Sequence, residues 1–240
     1  MRTDLKRLKR DTPVVTGPQN IIAPSLSADG AWILYLEFRK RALGPSSEAR
    51  LMRIPVSGGA PQLVLETRNL SWYGCARAPA SLCEVHEASQ DEKQLILTAF
   101  DPVKGRGKVL RTIQKDPGVY FAGTGVSPDG TTFALSKGGE AEIHIRLLSL
   151  SGGSDREITL KGWPNLTGLN WSPDGKGPYV GSVSPQNCTL LLVDLQGSAK
   201  VVWQYKAAGG QIWGVPSPDG RYLAILGEVT NSNVWMLEGF

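Results

Sequence analysis

Ser127-Pro128-Asp129-Gly130, Ser172-Pro173-Asp174-Gly175 and Ser217-Pro218-Asp219-Gly220 are one tetrapeptide repeated at intervals of 45 residues. A near-copy, Ser27-Ala28-Asp29-Gly30, stands 100 residues ahead of the first, which leaves room for one divergent copy between them. A fixed period of this length marks repeated supersecondary units. The tetrapeptide has a local physical reason of its own. Proline presets φ at the second position of a turn, aspartate accepts hydrogen bonds from the backbone beyond it, and glycine takes the positive φ. Asp29, Asp129, Asp174 and Asp219 are therefore read as structural turn residues, not as catalytic groups or ligands.

Each turn is followed by an alternating strand, over 32–36, 133–136 and 222–226, in which every second residue is apolar. A further strand follows at 51–56, 143–148, 190–195 and 234–237. Three of these run into a small turn: Ser57-Gly58-Gly59, Ser151-Gly152-Gly153 or Gln196-Gly197. Short strands over 62–65, 157–160 and 200–203 complete the units. Two placements compete for the divergent copy. Ser89-Gln90-Asp91-Glu92 keeps the acid but divides the interval unevenly. Arg77-Ala78-Pro79-Ala80 keeps the proline, divides it almost evenly and puts strands at 95–100 and 108–113 in register. The second is preferred.

Four strands every 45 to 50 residues make one blade of a propeller. The last unit ends without a fourth strand, and residues 12–16 ahead of the first unit resemble one. Pairing of 12–16 with 233–237 would close the ring and remove its sheet edges. The expected fold is all-β: a β-propeller of about five four-stranded blades over 12–240, closed by an N-terminal strand. Residues 1–11 are expected to be a basic tail or short helix.

Composition agrees with this reading and narrows function. Glycine and proline together number 44 of 240 residues, a surplus that the turns absorb, while 41% hydrophobic residues suffice for a core. The net charge of +4 belongs mostly to residues 1–11, which carry five basic and two acidic groups; the remaining 21 basic and 20 acidic groups nearly cancel. A nucleic-acid footprint needs basic residues clustered on the folded domain, so none is expected through the propeller. No apolar run reaches the length of a membrane span and no leader is recognisable, so the chain as written reads as cytoplasmic.

The chemistry-bearing residues are sparse. His86 and His144 are the only histidines, and with Cys75, Cys83 and Cys188 they form no metal-ligand spacing. Gly125-Val126-Ser127-Pro128-Asp129 fails the nucleophile-elbow pattern at its last glycine. No phosphate-binding glycine motif occurs, so neither catalysis nor a cofactor is expected. Cys75 and Cys83 are symmetric about Pro79 and would oppose each other across that turn, at the edge of disulfide range. In a reducing cytosol they would be buried thiols, the reading preferred for a cytoplasmic chain. Trp72, Tyr73, Trp163 and Trp213 stand near the starts of inner strands, where side chains reach one face of a propeller; they are the candidate binding-face residues. Connections at 38–49 and 205–211 are further candidates, since loops on a rigid scaffold often carry binding.

The four turns, their apolar strands and the Gly-Gly punctuation resemble the TolB-like, WD-repeat-like bacterial β-propellers over residues 20–240. A narrower resemblance, to sensor propellers fused to acidobacterial serine/threonine kinases or winged-helix regulators, is carried by 99–107 and 231–236. Residues 1–11, with Leu5 and Leu8 one turn apart, resemble the final helix of such kinases. No kinase motif is present in this chain. The resemblance implies a monomeric, non-catalytic module that recognises a protein or small ligand in bacterial signalling, extracytoplasmic in membrane-anchored relatives. The alternatives are the accessory propeller of a prolyl-oligopeptidase-like hydrolase and a lactonase-like, metal-dependent propeller enzyme.

Overall fold

A computed structural model describes residues 20–38, 48–115, 121–139, 141–207 and 209–228 of the chain. Within them every regular element is a strand. Blade 1 is an antiparallel sheet of β1 (Asn20–Leu26), β2 (Trp32–Phe38), β3 (Glu48–Pro55) and β4 (Gln62–Arg68). Blade 2 has β5 (Leu70–Cys75), β6 (Cys83–Ala88), β7 (Gln94–Asp101) and β8 (Gly105–Gln114). Blade 3 has β9 (Phe121–Val126), β10 (Thr132–Lys137), β11 (Ile143–Ser149) and β12 (Arg156–Leu160), and blade 4 has β13 (Leu166–Trp171), β14 (Pro178–Val183), β15 (Asn187–Val193) and β16 (Ala199–Lys206). Blade 5 is represented by β17 (Gln211–Pro216) and β18 (Leu223–Glu228). The first strands β5, β9, β13 and β17 lie side by side in that order, as the inner strands of a propeller do.

The all-β propeller expected from the repeat is therefore present. The blade count differs in detail: the described residues complete four four-stranded sheets and half of a fifth. Residues 1–19 and 229–240, on which the basic tail and the closing pair 12–16 with 233–237 were placed, lie outside the described residues.

The repeated tetrapeptide folds alike in every blade that carries it. Ser127 Oγ donates to Asp129 Oδ1 at 2.5 Å and accepts from the Thr132 amide at 2.9 Å, while the Thr131 amide donates to Asp129 Oδ1 at 3.0 Å. Gly130 sits at φ 74°, the region only glycine enters freely. The same set of bonds recurs at Ser27, Ser172 and Ser217. Hydrogen bonds from Ser172 and the Lys176 amide hold the Asp174 carboxyl below its usual range.

Blade 2 settles the competition for the divergent copy. Residues 76–82 connect β5 to β6, as the preferred alignment requires. Ser89-Gln90-Asp91-Glu92 nonetheless makes the same turn, with Ser89 Oγ to Asp91 Oδ1 at 2.6 Å and the Gln94 amide to Ser89 Oγ at 3.0 Å. It does so one strand later, between β6 and β7, at the opposite end of the blade.

The hydrophobic interior is divided among the seams between blades. Leu34, Leu36 and Leu51 of blade 1 pack on Tyr73, Val85 and Phe100 of blade 2. Leu95 and Leu97 meet Phe133 and Leu135 across the next seam, Ile145 and Leu160 meet Leu169 and Trp171 across the third, and Cys188 and Leu190 meet Ile212 across the fourth. Strands buried on both faces leave no room for the solvent-facing alternation of an ordinary antiparallel sheet.

One expectation is corrected here. Cys75 and Cys83 are directly opposed in the β5–β6 ladder and are joined as a disulfide, not held as thiols. Cys188 is free and buried. Among the described residues no helix is long and apolar enough to cross a membrane.

Candidate binding face

The first turns of the blades share one end of the propeller, and blade 2 breaks their pattern there. Where the other turns are closed by their own side chains, the 76–82 connection bonds outward. The Arg77 amide donates to Pro128 O of blade 3 at 3.0 Å, and the Ala78 amide donates to Ala28 O of blade 1 at 3.0 Å. The Arg77 guanidinium reaches blade 5, donating to Ser217 O and Pro216 O at 3.1 Å each. One short connection thus touches the equivalent turns of three other blades.

A cavity of about 560 Å³ opens at this end. Its wall includes Arg77 and one proline from each of four blades, Pro79, Pro128, Pro173 and Pro218. Prolines expose apolar ring carbons and carry no N–H, so they add apolar area to a wall that also holds Ser127, Asp129, Thr132, Arg156 and Asp174. The aspartates beside them accept bonds within their own turns. The result is a proline-rimmed mouth with two arginines, Arg77 and Arg156, in its wall.

The sequence-predicted aromatics are not gathered at this mouth. Trp72 on β5 is 40% exposed and stands opposite His86 in the ladder. Tyr73 is buried; its hydroxyl donates toward Leu34 O at 3.0 Å and Ala23 O of blade 1, and burial pushes its pKa up. Trp163, in the connection ahead of β13, packs on the third seam. Trp213 on β17 fits against Gly168, where an added Cβ would approach Trp213 Cβ to 2.9 Å. Asp29, Asp129, Asp174 and Asp219 are where the turn chemistry places them.

Two residues that sequence reasoning did not connect lie together in the second seam. Glu84 and His86, two apart on β6, are 0% and 1% exposed, with His86 Nε2 3.7 Å from Glu84 Oε2. His86 stands edge-on to Phe133 and its Nε2 is 3.5 Å from Thr124 Oγ1, both of blade 3. Neither Glu84 oxygen nor His86 Nδ1 has a hydrogen-bond partner. Burial pushes the Glu84 carboxyl well above its usual range and holds the imidazole down to about 3, so the seam disfavours the charged form of each. The signal available was the pattern Cys83-Glu84-Val85-His86, which reads as a half-exposed strand unless both faces of a blade are known to be covered. Among the described residues no group of three or more His, Cys, Asp or Glu side chains is placed to hold a metal ion.

No protein-family model and no curated protein sequence matches this chain. Solved structures do. A protein assigned as TolB in Agrobacterium tumefaciens superposes with a TM-score of 0.65 at 21% identity, over 90% of this chain and 73% of that one. TolB from Acinetobacter baumannii gives 0.62 at 16% identity, over 90% of this chain and 56% of that one. The fold is a TolB-like β-propeller. An oligogalacturonate lyase in complex with manganese also superposes, with a TM-score of 0.57 at 14% identity over 90% of this chain and 67% of that one. The chain thus spans only about half to three quarters of the length of these proteins, and at such identities the likeness speaks for the fold alone.

Proposed function

We propose that this propeller is a non-catalytic recognition module, a monomer that binds a protein or small ligand at the proline-rimmed mouth in a bacterial signalling system. The observation that carries the reading is the convergence of Pro79, Pro128, Pro173 and Pro218 around Arg77 on one open surface. The rim aspartates are engaged in their turns, and the buried His86 and Glu84 stand within a seam, away from that surface. What the mouth offers is shape, apolar area and the cations of Arg77 and Arg156, the means of binding and not of bond-breaking.

The test is site-specific photo-crosslinking in bacterial extract, with the photoreactive residue at Pro173 or, as a control, at the exposed Val103 in the β7–β8 turn, which does not line the mouth. A discrete adduct at Pro173 that is absent at Val103, and abolished by Pro218→Glu, supports the reading. Equal labelling at both positions sinks it.

A second reading, a metal-dependent propeller enzyme, draws on the likeness to the manganese-bound lyase. A stoichiometric divalent ion in protein purified without chelator would favour it over the first. The kinase-linked role rests on the sequence resemblance, and a kinase or winged-helix segment encoded in frame with this propeller would support it.

A further inference from the structure

Blade 2 is the one place where a first turn abandons the repeated tetrapeptide, and three features coincide there. The 76–82 connection makes the cross-blade bonds of Arg77 and Ala78 to blades 1, 3 and 5. It supplies Arg77, Pro79 and Ala80 to the wall of the mouth. Its two ends are tied by the Cys75–Cys83 disulfide, so the crosslink closes the base of this one connection. Within the connection the described backbone bond is Ala76 N to Leu82 O; its other backbone and guanidinium bonds go outward.

From this placement we propose that Cys75–Cys83 is a redox latch on the mouth. Oxidised, it holds the 76–82 connection braced across the other turns; reduced, it releases that connection and changes the shape of the mouth. The two sulfurs differ in access. Cys83 is fully buried, whereas Cys75 is partly exposed. A thiolate of an external dithiol attacks Cys75 Sγ, the S–S bond breaks with its electron pair on Cys83 Sγ, and Cys83 takes up a proton. The second thiolate of the donor then displaces Cys75, which leaves as a thiol while the donor becomes a disulfide. Two electrons and two protons pass to the protein. Cys188, the remaining cysteine, is buried in the fourth seam among residues of blades 4 and 5, so no other pairing competes. The latch stands on geometry; its value as regulation rests on the mouth being the binding face.

Amide hydrogen exchange on the whole chain, with and without dithiothreitol, reads the latch without needing the ligand. The amides of Arg77 and Ala78, bonded to blades 3 and 1, are expected to exchange roughly tenfold faster or more once the bond is open. Those of Gly175 and Lys176, in the turn of blade 4 to which the connection makes no bond, should keep their rates. The Cys75→Ser/Cys83→Ser variant should show the fast rates at once and ignore the reductant, with β13 to β16 as internal control for an intact fold. Alkylation counts the thiols released. Unchanged Arg77 and Ala78 rates with two thiols freed would overturn the proposal, and so would acceleration spread evenly over all blades, or a bond that resists the dithiol in the native protein. Crosslinking at Pro173 in the oxidised protein tests the binding reading separately, so the two can fail independently.

Discussion

The seam between blades 3 and 4 and the seam between blades 2 and 3 join equivalent strands with opposite chemistry. Across the first, β9 presents Gly123 and Gly125 to Leu166, Leu169 and Trp171, and the Trp171 indole donates to Gly125 O at 3.0 Å. At the second, the equivalent strand of blade 2 pairs within its own blade, Gly74 with Glu84 and Trp72 with His86, and His86 faces Phe133 and Thr124 across the seam, so a carboxyl and an imidazole are buried where their neighbours bury aliphatic carbon. The repeat dictates where strands run, and the seams are free to differ. One seam gains stability from close apolar approach; the other makes stability answer to protons.

The largest effect should come from filling the apolar seam. An added Cβ at Gly123 would lie 2.6 Å from Leu166 Cδ2 and 2.8 Å from Leu169 Cβ. Gly123→Val is expected to lose about 3 kcal/mol or more in chemical denaturation. Gly74→Ala in the polar seam meets only Glu84 Oε1, at 2.9 Å, the far end of a side chain that can shift. Equal losses at the two glycines would break the comparison.

Next in size is the crosslink beside the polar seam. Opening a bridge between residues eight apart should lower stability by about 2.5 kcal/mol on the loop-entropy estimate, checked by denaturing the Cys75→Ser/Cys83→Ser variant.

The buried pair predicts a pH signature with a definite sign. Glu84 titrates above its ordinary value of 4.5 in the folded chain, so its contribution is complete below pH 4.5 and is lost as pH rises toward the folded pKa. His86 titrates at about 3 in place of 6.5, so its contribution is complete above pH 6.5 and is lost as pH falls toward 3. The two slopes oppose each other between those ordinary values, giving a broad optimum there. Glu84→Met, similar in shape and without orphan oxygens, should gain about 1–2 kcal/mol above neutrality and flatten the alkaline limb while leaving the acid limb. Melting curves across pH check this, and an unchanged alkaline limb would show that Glu84 is not the group responsible.

The smallest effect belongs to the turns. Ser127→Ala removes the bonds to Asp129 and Thr132 and should lose about 1 kcal/mol. Ser89→Ala, in the same turn at the other end of its blade, should lose a similar amount; a much larger loss at Ser127 would mean that the first turns do more than fold themselves.

How much of this was legible follows from the range of each interaction. The Ser-Pro-Asp-Gly turns are closed within six residues, so their sequence states their structure outright. The strand alternation after each turn, such as 133–136, places β10 within a residue or so for the same reason. Arg77 and His86 depend on partners 38 to 140 residues away, and no local pattern encodes such a distance. Tyr73 was legible as an inner-strand aromatic but not as a hydroxyl engaged by blade 1. The thiol reading of Cys75 and Cys83 rested on a presumed compartment, whereas their opposition across the ladder was geometric, and the geometric part is what the structure retains.

Dividing the interior among seams gives the molecule the energetics of a row of adhesive joints instead of a single knot. Each blade answers mainly to the two beside it, so damage at one joint is felt by its neighbours and fades beyond them. The 76–82 connection departs from that rule. By touching three other blades it works as a shortcut across the row, able to carry a local chemical event to turns that share no seam with it.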